Sequence, residues 1–202
     1  MLVSGEGTNL QAILDTVDGK DGIEVIAVAS DKPGAMALDR ATDAGIAAEC
    51  FPRDGFASRQ ERDAAMADWL AEQSADLIVL AGYMQLLSPA FIERWPDRVV
   101  NVHPALLPSF PGLDAIGQTL AAGVKMTGVT VHFVDEGVDT GPPILQRPLP
   151  VPADRDRAAL EDAIHRTEHA LLPRAIEMIA AGRVTFDPAN PRVVLISEDG
   201  ES

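Results

Sequence analysis

The chain predicts an α/β protein built on a doubly wound, mostly parallel sheet with helices on both faces. Three observations carry this. Short β-rich runs alternate with helical stretches, the pattern of parallel strands joined by crossover helices. Asp76–Ala81 is a nearly unbroken apolar run, as a strand buried on both faces requires. Asn101-Val102-His103 continues the apolar Val99-Val100 and is stopped by Pro104. Strand side chains alternate with a period of two, so Asn101 and His103 share one face at a strand end. In such sheets the crevice beyond the strand ends is where ligands bind.

Each segment follows in order. Ser4-Gly5-Glu6-Gly7-Thr8-Asn9 forms a turn before a helix starting near Leu10. Ile23–Ser30 reads as a strand, followed by a helix around Ala35–Ala44 and a strand at Ala47–Phe51. Ser58 with Glu61 three residues on makes a capping box for a helix to about Gln73. After the Asp76–Ala81 strand, Ser88-Pro89 opens a short helix with proline at its favoured first position. The strand Val99–His103, a Pro-rich loop and a helix near Ala115–Ala122 come next. Thr127–Val134 and Ile144–Pro150 are strand candidates, and a long helix fills Arg157–Ala181, ended by Gly182. Residues 183–202 read as a polar C-terminal tail with one apolar patch, Val193–Ile196. The 202 residues are expected to form a single domain, with no repeat and no convincing linker.

An apolar fraction of 47% argues against disorder. No apolar run is long enough to span a bilayer, and a secretion signal is not evident, so no membrane association is expected. Cys50 is the only cysteine, which excludes an intrachain disulfide and a multi-cysteine metal site and points to the cytoplasm. A net charge of −15 argues against binding long nucleic acids. It leaves room for a small phosphorylated ligand held by backbone N–H groups.

Several residues could carry chemistry. The glycine turn at Gly5 and Gly7 suits either an anion at a helix start or a plain capped turn. Leu10 stands where a dinucleotide fingerprint needs its third glycine, which disfavours a nicotinamide cofactor. The loop Asp135-Glu136-Gly137-Val138-Asp139 gathers three carboxylates, but its spacing fails a calcium site. Asp135 and Glu136 suit a solvated turn, whereas Asp139 could be held against Asn101 and His103, raising and orienting the imidazole. Glu168 falls on the apolar stripe Leu160, Ile164, Leu172, Ala175 and Ile179. It needs a partner or ligand, unless that face opens to solvent. Arg59 at a helix start is either an anion contact or a solvated arginine. His132 reads as a satisfied structural histidine, and His165 and His169 as structural or exposed.

Together the segments at Ser4–Gln11, Ala81–Ser88, Asn101–Leu113 and His132–Gln146 resemble the phosphoribosylglycinamide formyltransferases, within the wider formyltetrahydrofolate-dependent superfamily. The resemblance spans nearly the whole chain and implies a Rossmann-like sheet of the formyltransferase type. It implies that Asn101, His103 and Asp139 are catalytic, and that Gly7, Thr8, Asn9 and Glu168 bind the phosphoribosyl substrate. Arg59, Met84, Gln85, Leu86, Leu87, Asn101, Asp135, Glu136, Gly137, Val138 and Asp139 would line the folate pocket. The implied reaction takes a formyl group from 10-formyltetrahydrofolate to the amine of glycinamide ribonucleotide in purine biosynthesis, with no metal. The implied protein is a cytoplasmic monomer or homodimer with small-molecule partners. A hydrolase of the same donor and a non-catalytic nucleotide-binding module are the alternatives.

Two departures stand out. Gln85 occupies a position where many relatives carry arginine, tolerable if that position lines the pocket through its backbone. Only Met1-Leu2-Val3 precede Ser4, where relatives have about five more apolar residues. Since each buried Val, Leu or Ile contributes roughly 1.5–3 kcal/mol, the expectation is that the native start lies upstream.

Overall fold

The computed structural model describes residues 1–197. The first half runs β1 (Leu2–Val3), α1 (Thr8–Thr16), β2 (Ala27–Ser30), α2 (Met36–Asp43), β3 (Ala47–Cys50), α3 (Arg59–Glu72), β4 (Ile78–Leu80) and α4 (Pro89–Ile92). The second half runs β5 (Val99–His103), α5 (Ala115–Ala122), β6 (Met126–Phe133), β7 (Pro143–Pro150), α6 (Arg157–Ala180), β8 (Val184–Asp187) and β9 (Asn190–Ile196).

Seven strands form one sheet in the order β3-β2-β1-β4-β5-β6-β7. The pairs from β3 to β5 are parallel, and β6 and β7 add antiparallel strands at one side. The chain winds outward from β1 to β3, then returns to place β4 on the other side of β1. That reversal opens a crevice beyond the carboxyl ends of β1 and β4.

Alternation divides the core between the two faces of the sheet. Val3, Val28, Val79 and Val100 point to the side covered by α1 and α6, where Leu10, Ile13, Leu160, Ile164 and Leu172 are buried. Leu2, Ala29, Ile78, Leu80 and Val99 point to the other, packed by Met66 and Leu70 of α3 with Phe91 and Trp95. β1 is only two residues long, yet both are fully buried and the strand pairs on each side. Among the described residues no helix is long and apolar enough to cross a membrane.

The predicted elements are all present, with four corrections. The strand expected from Ile23 starts at Ala27. Lys20 and Ile23 close a tight bridge, and the Asp18 carboxylate takes the Val25 N–H at 2.7 Å, diverting that backbone from the sheet. The apolar run at Asp76–Ala81 contributes only Ile78–Leu80 to the ladder. The first helix begins at Thr8 rather than near Leu10, because Gly7 takes the left-handed cap conformation at φ 74°. The expected polar tail contains a hairpin, β8–β9. Its Phe186 ring lies 4.9 Å from that of Phe133, tilted by 38°, so this part of the tail packs an apolar face against the core. Residues 198–202 of that tail lie outside the described residues.

Candidate active site

A cavity of about 890 Å³ fills the crevice at the carboxyl end of the sheet. Every site residue predicted from the sequence lines it: Gly7, Thr8, Asn9, Arg59, Met84–Leu87, Asn101, His103, Asp135–Asp139 and Glu168.

One end is the turn between β1 and α1. The chain passes so close to α2 that a Cβ on Gly7 would sit 2.7 Å from the Ala37 Cβ. Arg40 donates to the Glu6 carbonyl at 2.8 Å and to the Gln11 side chain at 3.0 Å, fixing the turn from outside. The N–H groups opening α1 therefore face the cavity at the positive end of a helix, suited to an anion. Deeper in, Asn9 Nδ2 donates to Glu168 Oε2 at 3.0 Å. Glu168 has thus met a partner, and Asn9 Oδ1 is buried with no hydrogen-bond partner among the described residues. Burial pushes the Glu168 carboxyl above the usual glutamate range, against Asn9 and the nearby His165, which pull it down.

At the centre stands Asp139, on a loop held by tight turns. It takes φ 52°, a left-handed conformation uncommon outside glycine. The loop is fixed against β6 at Gly141, where a Cβ would fall 1.9 Å from the Phe133 carbonyl oxygen. Asp139 accepts from the Gly112 N–H at 2.7 Å and from Asn101 Nδ2 at 3.3 Å, and His103 Nδ1 lies 3.2 Å from its Oδ2. Burial works to raise this carboxyl, but His132, Gly112 and His103 together outweigh it, leaving it below the ordinary aspartate value.

His103 is 4% exposed. Its Nε2 donates to the Phe110 carbonyl at 2.8 Å, so both ring nitrogens face acceptors. Sequence reasoning expects Asp139 to raise this imidazole; the net shift is downward. Burial is the larger effect, and Asp139 with the Phe110 carbonyl offsets only part of it. The ring therefore has places for two protons but holds the second weakly.

His132 is the residue sequence reasoning missed. It lines the cavity, is 2% exposed, and pairs directly across the sheet with Asn101. Its Nδ1 donates to the Phe133 carbonyl at 2.7 Å, leaving Nε2 to accept from Asn101 Nδ2 at 3.1 Å. It is satisfied, as expected, but by the site itself. The available signal was register: antiparallel pairing of the two polar-bearing strands sets 132 opposite 101. His165 also lines the cavity.

The remaining wall is apolar. Met84, Leu86, Leu113 and Val138 are 45–74% exposed around one rim, a concentration that marks a binding surface for a flat or apolar group. Arg59 is exposed at the start of α3 on the same side. The side chain of Gln85, expected to line the pocket mainly through its backbone, donates to Asp31 at 2.9 Å.

Comparison with known proteins agrees with this arrangement. A family profile described as formyl transferase matches residues 1–176. The phosphoribosylglycinamide formyltransferase of Escherichia coli (strain K12) is 40% identical over 185 residues, covering 91% of this chain and 87% of that protein. The trifunctional purine biosynthetic protein adenosine-3 of Drosophila melanogaster is 47% identical over 191 residues, and the chain spans 14% of its length. The crystal structure of glycinamide ribonucleotide transformylase 1 from Symbiobacterium toebii superposes with a TM-score of 0.93 at 43% identity, covering 98% of this chain and 92% of that one. With a cavity centred on Asn101, His103 and Asp139 and a profile matched over most of its length, the chain belongs to the formyl transferase family.

Proposed function

We propose that this chain transfers a formyl group from 10-formyltetrahydrofolate to the amine of glycinamide ribonucleotide, in de novo purine biosynthesis. The observation that carries the reading is the convergence of Asn101, His103 and Gly112 on Asp139, midway between an anion-suited helix start and an apolar rim. The relatives named for this activity support the choice of substrates. Gly7, Thr8, Asn9 and Glu168 would hold the phosphoribosyl substrate; the Glu168 carboxylate offers an acceptor for sugar hydroxyls. Met84–Leu87, Arg59 and Asp135–Asp139 would hold the folate.

The substrate amine attacks the formyl carbon, and the carbonyl oxygen takes up negative charge. Asn101 Nδ2 and His103 Nδ1, which face Asp139 in the free chain, turn to that oxygen as it forms, a role worth about 10²–10³ in rate per donor. Collapse of the tetrahedral adduct breaks the bond to the folate nitrogen. The proton lost by the amine reaches that nitrogen through Asp139 and His103. A weakly held second proton suits His103 to this relay, because burial favours giving it up once it has been taken. The reaction as written requires no metal. The single domain over 1–202 would act in the cytoplasm, as a monomer or homodimer, with these small molecules as partners. The lone Cys50 supports that compartment.

The test is folate absorbance with the full chain and 10-formyltetrahydrofolate, with and without glycinamide ribonucleotide. Deformylation only in the presence of the amine substrate is expected. Formate release without it would establish a hydrolase; binding without turnover, a nucleotide-binding module.

A further inference from the structure

Part of the apolar wall of the cavity is a loop, Gly82–Ser88, tethered at its middle and at its far end by buried carboxylates that do not line the cavity. Tyr83 and Ser88 are buried, Met84 and Leu86 are exposed, and residues 82–87 all line the cavity. Asp31, just past β2 and 6% exposed, accepts from Ser4 Oγ and, at 2.9 Å, from Gln85 Nε2. Ser4 Oγ in turn accepts the Met84 N–H at 2.9 Å. Asp63, on α3 and fully buried, accepts the Ser88 N–H at 2.6 Å through one oxygen. Its other oxygen accepts Arg62 Nε at 3.1 Å and Nη2 at 2.8 Å.

An ionised carboxylate only accepts, and its two oxygens can bind two chain segments at once. Burying it is costly unless those bonds are made. Asp31 joins the body of the fold to the middle of this loop, and Asp63 joins it to the loop's far end. Gly82, at φ 68°, lets the chain turn out of β4 into that loop.

We infer that Asp31 and Asp63 are positioning residues for the formyl-donor half of the cavity, holding Gly82–Ser88 so that Met84 and Leu86 face the bound folate. The inference rests on the proposed function for the identity of that ligand. It assigns Gln85 a tether role, through its side chain rather than its backbone.

The experiment compares Asp31→Ala, Asp31→Asn, Gln85→Ala and Asp63→Asn in the full chain by steady-state kinetics, varying each substrate. Asp31→Ala is expected to raise the KM for 10-formyltetrahydrofolate about tenfold, while the KM for glycinamide ribonucleotide stays within about twofold. Asp31→Asn should recover most of the loss, since its amide still accepts from Ser4 and donates to a rotated Gln85 amide. Gln85→Ala should give a smaller rise, about threefold, in the same constant alone. Both KM values rising together, a change confined to kcat, or no recovery by asparagine would each overturn the inference. Should Asp63→Asn fail to fold, with Arg62 buried beside a weakened partner, the Asp31 and Gln85 variants decide. If the unmodified chain shows no turnover, the proposed function fails. Equilibrium dialysis of 10-formyltetrahydrofolate then reads the same variants: unchanged affinity overturns the inference, and an affinity loss reversed by asparagine supports it.

Discussion

Asn101, His103 and Asp139 make a candidate site because each is held in place by the fold itself. Asp139 is fixed by a backbone N–H, Asn101 by the partner strand's histidine, and His103 by the Phe110 carbonyl. Truncating a preorganised group removes stabilisation that is strongest in the transition state. His103→Ala and Asp139→Asn should therefore each lower kcat about 100-fold or more, with folded protein by circular dichroism; near-normal turnover would remove them from the chemistry. The same residues set a pH response. His103 titrates below its ordinary value of 6.5, so above that pH it is neutral in both folded and unfolded chains. As the pH falls through 6.5, the unfolded chain takes the proton first and stability is lost. Asp139, lowered from 3.8, acts in the same direction at lower pH, losing stability as the pH falls through its folded value. Melting temperature should thus decline between about pH 7 and 5, and decline less in His103→Ala, when measured by calorimetry. An identical slope in the variant would contradict the burial argument. Asn101 and His103 were legible in the sequence because a strand's period of two and a terminating proline are local signals. His132 was not: its membership depends on register with a strand 31 residues away.

Among the secondary-structure units, the loop between β6 and β7 carries the most constraint. It must reverse the chain, present Asp139 to β5 and stay packed on its own strand. Gly141 allows this, since any Cβ would collide with the Phe133 carbonyl. Gly141→Ala should cost about 1–3 kcal/mol in denaturant unfolding, as overpacking does. It should also reduce kcat more than tenfold by displacing Asp139; unchanged stability and turnover would show that the loop has room. The β8–β9 hairpin supports this loop from outside, where Arg192 donates to the Thr140 carbonyl at 2.7 Å. That hairpin was hidden in the sequence because β8 is short and Pro188 and Pro191 interrupt the pattern. Helices were easier to find: Ser58 caps α3 by accepting the Glu61 N–H at 3.1 Å, as its spacing predicts. The Glu61 side chain reaches the Ala57 N–H, one residue earlier than the pattern implies.

Taken as one body, the protein is strongly acidic, at −15, while both proposed substrates are anions. Long-range repulsion opposes their approach, and among the described residues Arg59 and Arg157 are the only arginine or lysine side chains lining the cavity. Arg157 is itself paired with Asp114 and Glu161. Raising ionic strength from about 10 to 150 mM screens charges beyond the Debye length. It should increase kcat/KM on the order of twofold; a decrease in stopped-flow or steady-state rates would mean that local cations dominate. The sheet order, with its reversal between β1 and β4, explains why residues from six separate segments meet at one crevice.

Read alone, the chain was enough to determine the alternation of strands and helices, most of their limits, the polar pair at a strand end and the misplaced Glu168. These rest on periodicity and capping, which act over a few neighbouring residues. Tertiary structure was needed for the rest: the direction of the His103 shift, the place of His132, the hairpin at the C-terminal side, and the carboxylates beneath the cavity loop. Burial and cross-strand register are sums over neighbours distant in the chain, and Asp31 or Asp63 looks solvent-exposed until the fold encloses it.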